Sequence, residues 1–242
     1  MKDKMDKLFP SVEDAIKDIP DGAVVGFPGF FTCGNPVYLV KALAKSKVKD
    51  LTIVVMQLGV GNEEINDLLA HGQVKKAICN YPFYRSVSRK SLFETLLREN
   101  KIECELYPMG TFVEKMRAAG SGIPAFYTPT GVGTYVSEGK ETRVLNGKEY
   151  LLEYALPLDY AFIHAWKADH LGNVVFHKTA RNYNPDMAKA ARITIVEAEN
   201  VVETGEIDPD MIHLPSIYVK RVVKVDRPRI NVTIEASVPS SN

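Results

Sequence analysis

The chain has 242 residues, of which 45% are hydrophobic and 25% are charged. These proportions are those of a folded globular protein, and they exclude collagen-like, coiled-coil and intrinsically disordered chains. The 30 Lys and Arg residues balance the 30 Asp and Glu residues, so no net charge attracts nucleic acid or an anionic membrane.

The N-terminus and the cysteines indicate a reducing compartment. The first residues, MKDKMDKLF, lack the apolar core of a signal peptide, and no apolar run approaches the roughly 18–20 residues of a membrane span. Cys33, Cys79 and Cys104 are an odd number of cysteines without metal-site spacing, which favours free thiols. The histidines are scattered as well. We therefore expect a cytoplasmic protein that uses no membrane, nucleic acid or metal.

The segment up to Gly120 repeats a strand, a loop and a helix about four times. This alternation predicts an α/β fold, an open and mostly parallel sheet with helices on both faces. The predicted elements, in chain order, are a helix over 12–19, a strand over 23–27, a helix from Pro36, a strand over 51–56, a helix capped by Asn62, a strand over 76–79, a helix over 92–97, a strand over 102–106 and a helix over 111–119.

The pattern changes after Gly120. Residues 120–139 are rich in Gly, Pro, Ser and Thr, and a segment of this length predicts either a functional loop or a loop that covers the sheet edge. Further predicted elements are a hairpin of 142–145 and 149–152 around Asn146-Gly147, strands over 160–165, 173–177, 193–197 and 218–225, and a helix opened by Asn184-Pro185. Because no linker divides the chain, residues 1–242 are expected to form a single domain, with an ordered core over about 10–225 and a disordered tail over 238–242.

The loop over 28–35, between a predicted strand and a predicted helix, is a candidate binding loop. Gly29 and Gly34 allow the backbone to approach a ligand, and the following helix start offers free N–H groups to an anion. The glycine spacing fits neither a phosphate-binding P-loop nor a dinucleotide fingerprint. An ordinary turn between strand and helix therefore remains the alternative.

The remaining candidates are weaker. Glu203-Thr204-Gly205 has acidic neighbours, which favours a solvated turn over a nucleophile. The segment 181–184 could hold an acidic group of a partner, although a structural bridge is the simpler interpretation. No residues form a self-sufficient catalytic constellation. Residue patterns alone lead to an α/β ligand-binding domain or an incomplete enzyme.

Several motifs together resemble the signatures of family I coenzyme A transferases. The spacing of Asp21-Gly22, Gly29-Phe30, Gly34 and Pro36 matches the first signature, and residues 122–133 are similar to the family stretch G-x-G-x-P-A-F-Y-T-P-T-G-x-G. The segments AWKAD (165–169), ARN (180–182) and ETGE (203–206) also resemble this family. The similarity runs from about residue 10 to residue 225 and is to the α (A) subunits of 3-oxoacid, 3-oxoadipate and acetate CoA transferases.

This resemblance implies an exchange of CoA between an acyl-CoA and a short carboxylic acid, such as a 3-oxo acid or acetate, through a glutamyl-CoA intermediate. In the family the glutamate belongs to the β subunit, so the resemblance implies no catalytic residue in this chain and an α2β2 assembly with a β subunit. CoA is then a substrate, and no cofactor is expected. The contacts to CoA or substrate are expected from Pro28, Gly29, Phe30, Phe31, Thr32, Cys33, Gly34, Gln57, Met109 and Gly110.

Two of the departures from the family pattern concern single residues that bear on the chemistry. Pro28 replaces a glycine and lacks a backbone N–H. Met109 replaces the glutamine of a P-Q-G-T turn and cannot donate a hydrogen bond, and losing one oxyanion donor can cost roughly 3–4 kcal/mol of transition-state stabilisation. Either another group such as Gln57 supplies that donor or the reaction has changed. An acyl-CoA hydrolase or lyase subunit on the same fold, and a non-catalytic acyl-CoA-binding protein, therefore remain alternatives.

Overall fold

The computed structural model describes residues 6–58, 63–82 and 91–227. The predicted cap Asn62 and the tail predicted over 238–242 lie outside these residues. The helices are α1 (Val12–Ile16), α2 (Val37–Lys45), α3 (Glu63–Ala70), α4 (Leu92–Arg98), α5 (Met109–Gly120) and α6 (Asn184–Ala190). The strands are β1 (Leu8–Phe9), β2 (Val24–Phe27), β3 (Leu51–Val55), β4 (Val74–Cys79), β5 (Glu103–Leu106), β6 (Ala125–Thr128), β7 (Thr142–Leu145), β8 (Lys148–Tyr154), β9 (Leu158–Asp169), β10 (Val174–Val175), β11 (Ala191–Val202) and β12 (Arg221–Lys224).

The main sheet is open and mostly parallel, as predicted. Its strand order is β1-β12-β11-β9-β2-β3-β4-β5, and every neighbouring pair along this path is parallel. The short strand β10 adds to β9 in the antiparallel direction. Such a sheet is stable only when both of its faces are covered.

Helices cover both faces, which confirms the predicted fold class. Helices α1 to α4 pack on one face, where Leu43 of α2 and Phe93 of α4 are fully buried in the same core cluster. Helices α5 and α6 pack on the other face, where Phe112 and Met187 are fully buried in a second cluster. Apolar runs such as β3 fill both clusters, because successive side chains of a strand point to opposite faces.

A second, antiparallel sheet has the order β6-β8-β7. The predicted hairpin is present, and both of its turn residues, Asn146 and Gly147, have the positive φ that a two-residue hairpin turn favours. Strand β6 lies inside the segment 120–139, so the prediction of a loop there is wrong for Ala125–Thr128. These residues pair with β8, a long-range partner that the local Gly and Pro content conceals.

Several boundaries differ from the prediction. Helix α5 begins at Met109, two residues earlier than expected, because Pro108 already supplies the cap position. The strand predicted over 173–177 is limited to Val174–Val175. The strand predicted over 218–225 is limited to Arg221–Lys224, since a 3-10 turn over Ser216–Tyr218 precedes it.

The direction of chain growth in the main sheet reverses beside β2. The chain adds β3, β4 and β5 outward on one side of β2, whereas β9, β11 and β12 lie on the other side. In open α/β sheets, ligands bind outside the carboxyl ends of the strands at such a switch point. The loop that follows β2 lies at this position.

Candidate functional site

The loop after β2, residues 28–35, is anchored through its backbone carbonyl groups. The Tyr183 hydroxyl donates to the Gly29 carbonyl at 2.6 Å. Asn182 Nδ2 donates to the carbonyl of Cys33 at 3.0 Å, and Asn184 Nδ2 donates to the carbonyl of Gly34 at 3.2 Å. All three side chains lie at or just before the start of α6, so residues 182–184 form the structural bridge that was one of the two interpretations of this segment.

Two glycines are required by the shape of this loop. Gly29 has φ of +126°, and a Cβ atom on it would lie 1.7 Å from Asn35 Oδ1. Gly34 has φ of +75°, and a Cβ atom there would lie 2.4 Å from the carbonyl oxygen of Ala180. Any side chain at either position therefore displaces the loop or its anchors.

The tip of the loop presents aromatic rings to solvent. Phe30 and Cys33 exchange two backbone hydrogen bonds of 3.0 Å, which close a two-residue turn with Phe31 at φ of 52°. The Phe30 and Phe31 rings pack edge to face with centroids 4.9 Å apart, yet they remain 45% and 44% exposed. Exposed apolar rings on an anchored loop are suited to contact a ligand or a partner chain.

The loops after the next three strands lie at the same edge and are linked to one another. Gln57, which is buried, forms a β-bridge with Tyr81, and Leu58 N donates to the Tyr81 carbonyl at 3.0 Å. Asn80 Nδ2 donates to the Tyr107 carbonyl at 2.8 Å. Residues 59–62 and 83–90 lie outside the described residues.

Met109 lies at the N-terminus of α5, directly after β5, and is 49% exposed. The first N–H groups of a helix have no acceptor within the helix, so the backbone at Met109 and Gly110 can donate to an anion or a polarised oxygen. Strand β5 is three strand spacings from β2, about 14 Å. Helix α5 nevertheless reaches the switch point, because the rings of Phe112 and Tyr183 pack with their centroids 6.4 Å apart and Tyr183 anchors the loop 28–35.

All ten predicted contact residues therefore lie at the carboxyl edge of the sheet, and they differ in exposure. Phe30, Phe31, Cys33, Met109 and Gly110 are exposed, Thr32 is half-buried, and Pro28, Gly29, Gly34 and Gln57 are buried. The exposed group can touch a ligand, and the buried group shapes the backbone. Tyr183, which joins the loop to α5, lies in the segment 181–184 for which a structural bridge was predicted, but its contact with Gly29 was not predicted, because a single tyrosine carries no distinctive sequence signal.

The other candidate features lie after a strand beyond those that carry these loops or are absent from the described residues. Glu203 follows β11 with its side chain 78% exposed, as expected of a solvated turn. Within residues 6–58, 63–82 and 91–227, no group of three or more His, Cys, Asp or Glu side chains could hold a metal ion. No helix in the same described part of the chain has the length and apolarity needed to cross a membrane.

Comparison with known proteins identifies close relatives. The family model described as Coenzyme A transferase matches residues 9–225. The α (A) subunit of the succinyl-CoA:3-ketoacid coenzyme A transferase of Helicobacter pylori J99 is 45% identical over 223 residues, which are 92% of this chain and 94% of that protein. The α (A) subunit of the 3-oxoadipate CoA-transferase of Pseudomonas putida is 42% identical over 221 residues, which are 91% of this chain and 94% of that protein.

The fold is also shared with a solved structure. Glutaconate coenzyme A-transferase from Acidaminococcus fermentans superposes with a TM-score of 0.78 at 23% identity, and the match covers 91% of this chain and 76% of that chain. At this level of identity the likeness concerns the fold alone.

Proposed function

This chain belongs to the coenzyme A transferase family, and on that premise we propose that it is the α (A) subunit of an enzyme that moves CoA from an acyl-CoA to a short carboxylic acid. It works with a β subunit, in an α2β2 assembly, in the cytoplasm. The observation that carries the proposal is the loop 28–35 at the switch point. Two glycines shape this loop, three side chains anchor it, and two of its aromatic rings are exposed.

The nucleophile of the proposed reaction is a glutamate of the β subunit. Its carboxylate attacks the carbonyl carbon of the thioester and the C–S bond breaks. The CoA thiolate departs, and an acyl-glutamyl anhydride is formed. The thiolate then attacks the glutamyl carbonyl, which releases the first carboxylate and forms a glutamyl-CoA thioester. The acceptor carboxylate then attacks the glutamyl-CoA thioester and displaces the CoA thiolate, which forms a second acyl-glutamyl anhydride. The thiolate attacks the acyl carbonyl of this anhydride, so that the acceptor leaves as acyl-CoA and the glutamate is regenerated.

This chain contributes binding and orientation to that reaction. Phe30 and Phe31 supply apolar surface for the acyl-CoA, and the N–H groups at the start of α5 donate to the thioester oxygen in place of the glutamine amide that Met109 lacks. The exposed Met109 side chain makes the acyl pocket less polar, and its thioether packs against aliphatic groups. We therefore propose a short acid with an aliphatic chain as the preferred substrate.

The test is co-expression of this chain with the β subunit, followed by a CoA-exchange assay with a panel of short acids. Borohydride trapping in the presence of acyl-CoA is expected to modify a glutamate of the β subunit. This chain alone is the control and is expected to exchange no CoA.

Four outcomes would contradict the proposal. Exchange by this chain alone, or a trapped glutamate within it, would show that the nucleophile belongs to this chain and not to its partner. Hydrolysis of acyl-CoA without exchange would assign a hydrolase, and binding of acyl-CoA without turnover by the assembled pair would assign a non-catalytic protein.

A further inference from the structure

A buried ionic cluster lies behind the loop 28–35, on the two strands next to the switch point. His164 of β9 pairs in register with Glu197 of β11. His164 Nδ1 lies 3.0 Å from Glu197 Oε1, and His164 Nε2 lies 3.2 Å from Glu199 Oε1. The side chains of Glu197 and His164 are 0% and 8% exposed. When both carboxyl groups are ionised, both contacts are hydrogen bonds only if both ring nitrogens carry a proton, which makes the ring an imidazolium.

The cluster holds the end of the loop from two directions. Glu197 Oε2 accepts the backbone N–H groups of Tyr38 and Leu39, each at 2.9 Å. These residues form the first turn of α2, which directly follows the loop. From the other side, the backbone N–H of His164 donates to Asn184 Oδ1 at 3.2 Å, and Asn184 Nδ2 donates to the carbonyl of Gly34.

The charges on the cluster favour retention of its proton. Two carboxylates of β11 face His164, and the N-terminal N–H groups of α2 face Glu197. Helix α6 contributes the neutral amide of Asn184, and Lys224 of β12 donates to the backbone carbonyl of Glu199. Burial alone lowers the pKa of His164, but the hydrogen bonds and charges of Glu197 and Glu199 raise it above its ordinary value. Burial also raises the pKa of Glu197, against the opposing effect of His164 and the helix amides.

We propose that Glu197, His164 and Glu199 are positioning residues that hold the loop 28–35 in place through one shared proton. The inference rests on the proposed function, in which this loop contacts acyl-CoA. While the ring is an imidazolium, Glu197 is held between His164 and the start of α2, so the α2 terminus keeps its place at the end of the loop. When the proton leaves, one carboxylate loses its donor, and the buried charge of Glu197 is no longer neutralised by the ring.

The direction of the pH dependence follows from the raised pKa. Because the folded-state pKa of His164 lies above its unfolded value, the stabilisation of the loop is complete below the ordinary histidine range and is lost as pH rises through the folded pKa. Replacing Glu199 with glutamine keeps an acceptor for Nε2 but removes one negative charge. An opposite charge at this distance shifts a pKa by about 1–3 units, so the loss is expected at lower pH in Glu199→Gln.

The experiment measures amide hydrogen exchange of a peptide over residues 28–40 in the complex with the β subunit, from about pH 6 to about pH 9, corrected for intrinsic exchange. Wild type and the exposed control Glu206→Gln are expected to share one midpoint for the loss of protection. Glu199→Gln is expected to match them at the acidic end and to shift the midpoint down by about one pH unit. The KM for acyl-CoA is expected to rise at the same lower pH, with kcat less affected.

The outcomes separate this inference from the proposed function. The positioning role of Glu197, His164 and Glu199 would be overturned if Glu199→Gln and wild type had the same midpoint, or if protection in wild type did not depend on pH. Either result would count even if CoA exchange is normal. A shifted midpoint in a complex that exchanges no CoA would support this positioning role and contradict the proposed function. His164→Gln provides a further check, because it is expected to remove the pH dependence altogether.

Discussion

The anchor between Tyr183 and Gly29 offers a sharp test of the candidate site. Tyr183→Phe removes only the hydroxyl that donates to the Gly29 carbonyl at 2.6 Å. The ring keeps its contact with Phe112, so the packing between the loop and α5 is unchanged. We expect the variant to fold and to hold the loop less firmly.

The magnitude follows from burial. Gly29 is buried, and leaving a buried acceptor without its donor costs about 1–3 kcal/mol, more than the roughly 0.5–1.5 kcal/mol net value of an average hydrogen bond. In a chain of this size each kcal/mol lowers the melting temperature by about 2–4 °C. If the same free energy is needed to order the loop around acyl-CoA, the KM for acyl-CoA rises roughly 5- to 150-fold.

The assay compares thermal unfolding of the chain and steady-state kinetics of the complex for Tyr183→Phe and for Tyr160→Phe. Tyr160 is also buried, and its hydroxyl donates to the Asp18 carbonyl at 3.3 Å, but it lies near the amino end of β9, away from the site. Tyr160→Phe is therefore expected to leave KM unchanged. Equal effects of the two variants on KM, or an unchanged KM in Tyr183→Phe, would refute the reasoning that this hydroxyl positions a substrate loop.

Two further predictions concern the acyl pocket and the second sheet. Met109→Gln restores an amide donor at a half-exposed position, so it is expected to change stability by less than about 0.5 kcal/mol and to raise the ratio of kcat/KM for acetoacetate over butyrate by about tenfold. Met211→Gln, at another exposed methionine, is the control, and an unchanged ratio in folded Met109→Gln would exclude the pocket role. Glu153→Gln removes the carboxylate that Lys115 contacts at 3.0 Å and that Lys140 shares. Because Lys115 and Glu153 are both buried, the variant is expected to lower the free energy of unfolding, measured in urea, by about 3–5 kcal/mol. Glu114→Gln, in the exposed pair with Arg117, is expected to cost less than about 1 kcal/mol, and similar losses in the two variants would show that burial of the Lys115 pair is unimportant.

Local sequence signals determined most of the helix and strand assignments. Ser11 accepts the N–H of Asp14 at the start of α1, and Ser91 forms a capping box with Glu94 at the start of α4. Asn146-Gly147 determined the hairpin turn, because few other residues adopt positive φ at both positions. These signals act within a few residues, so they can be read without knowledge of the rest of the chain.

The family motifs indicated where in the chain the site residues lie. The loop 28–35 and the start of α5 both lie at the carboxyl edge of the sheet, where the resemblance led us to expect substrate contacts. The role of each residue within that edge was not evident. Gly29 and Gly34 could be expected to need positive φ, but their close approach to Asn35 and Ala180 depends on the folded path of the loop and, for Ala180, on a chain segment far away in sequence.

Tertiary structure alone decided the strand order and the buried networks. The pairing of β2 with β9 rather than with a sequence neighbour creates the switch point beside the loop, and pairing over such a long stretch of chain leaves no local pattern. Likewise, His164 and Glu197 are 33 residues apart, and each reads by itself as an isolated polar residue in an apolar strand. Sequence determines local geometry because propensities and caps act over one or two turns, whereas a site built from several strand ends exists only once the sheet has brought those ends together.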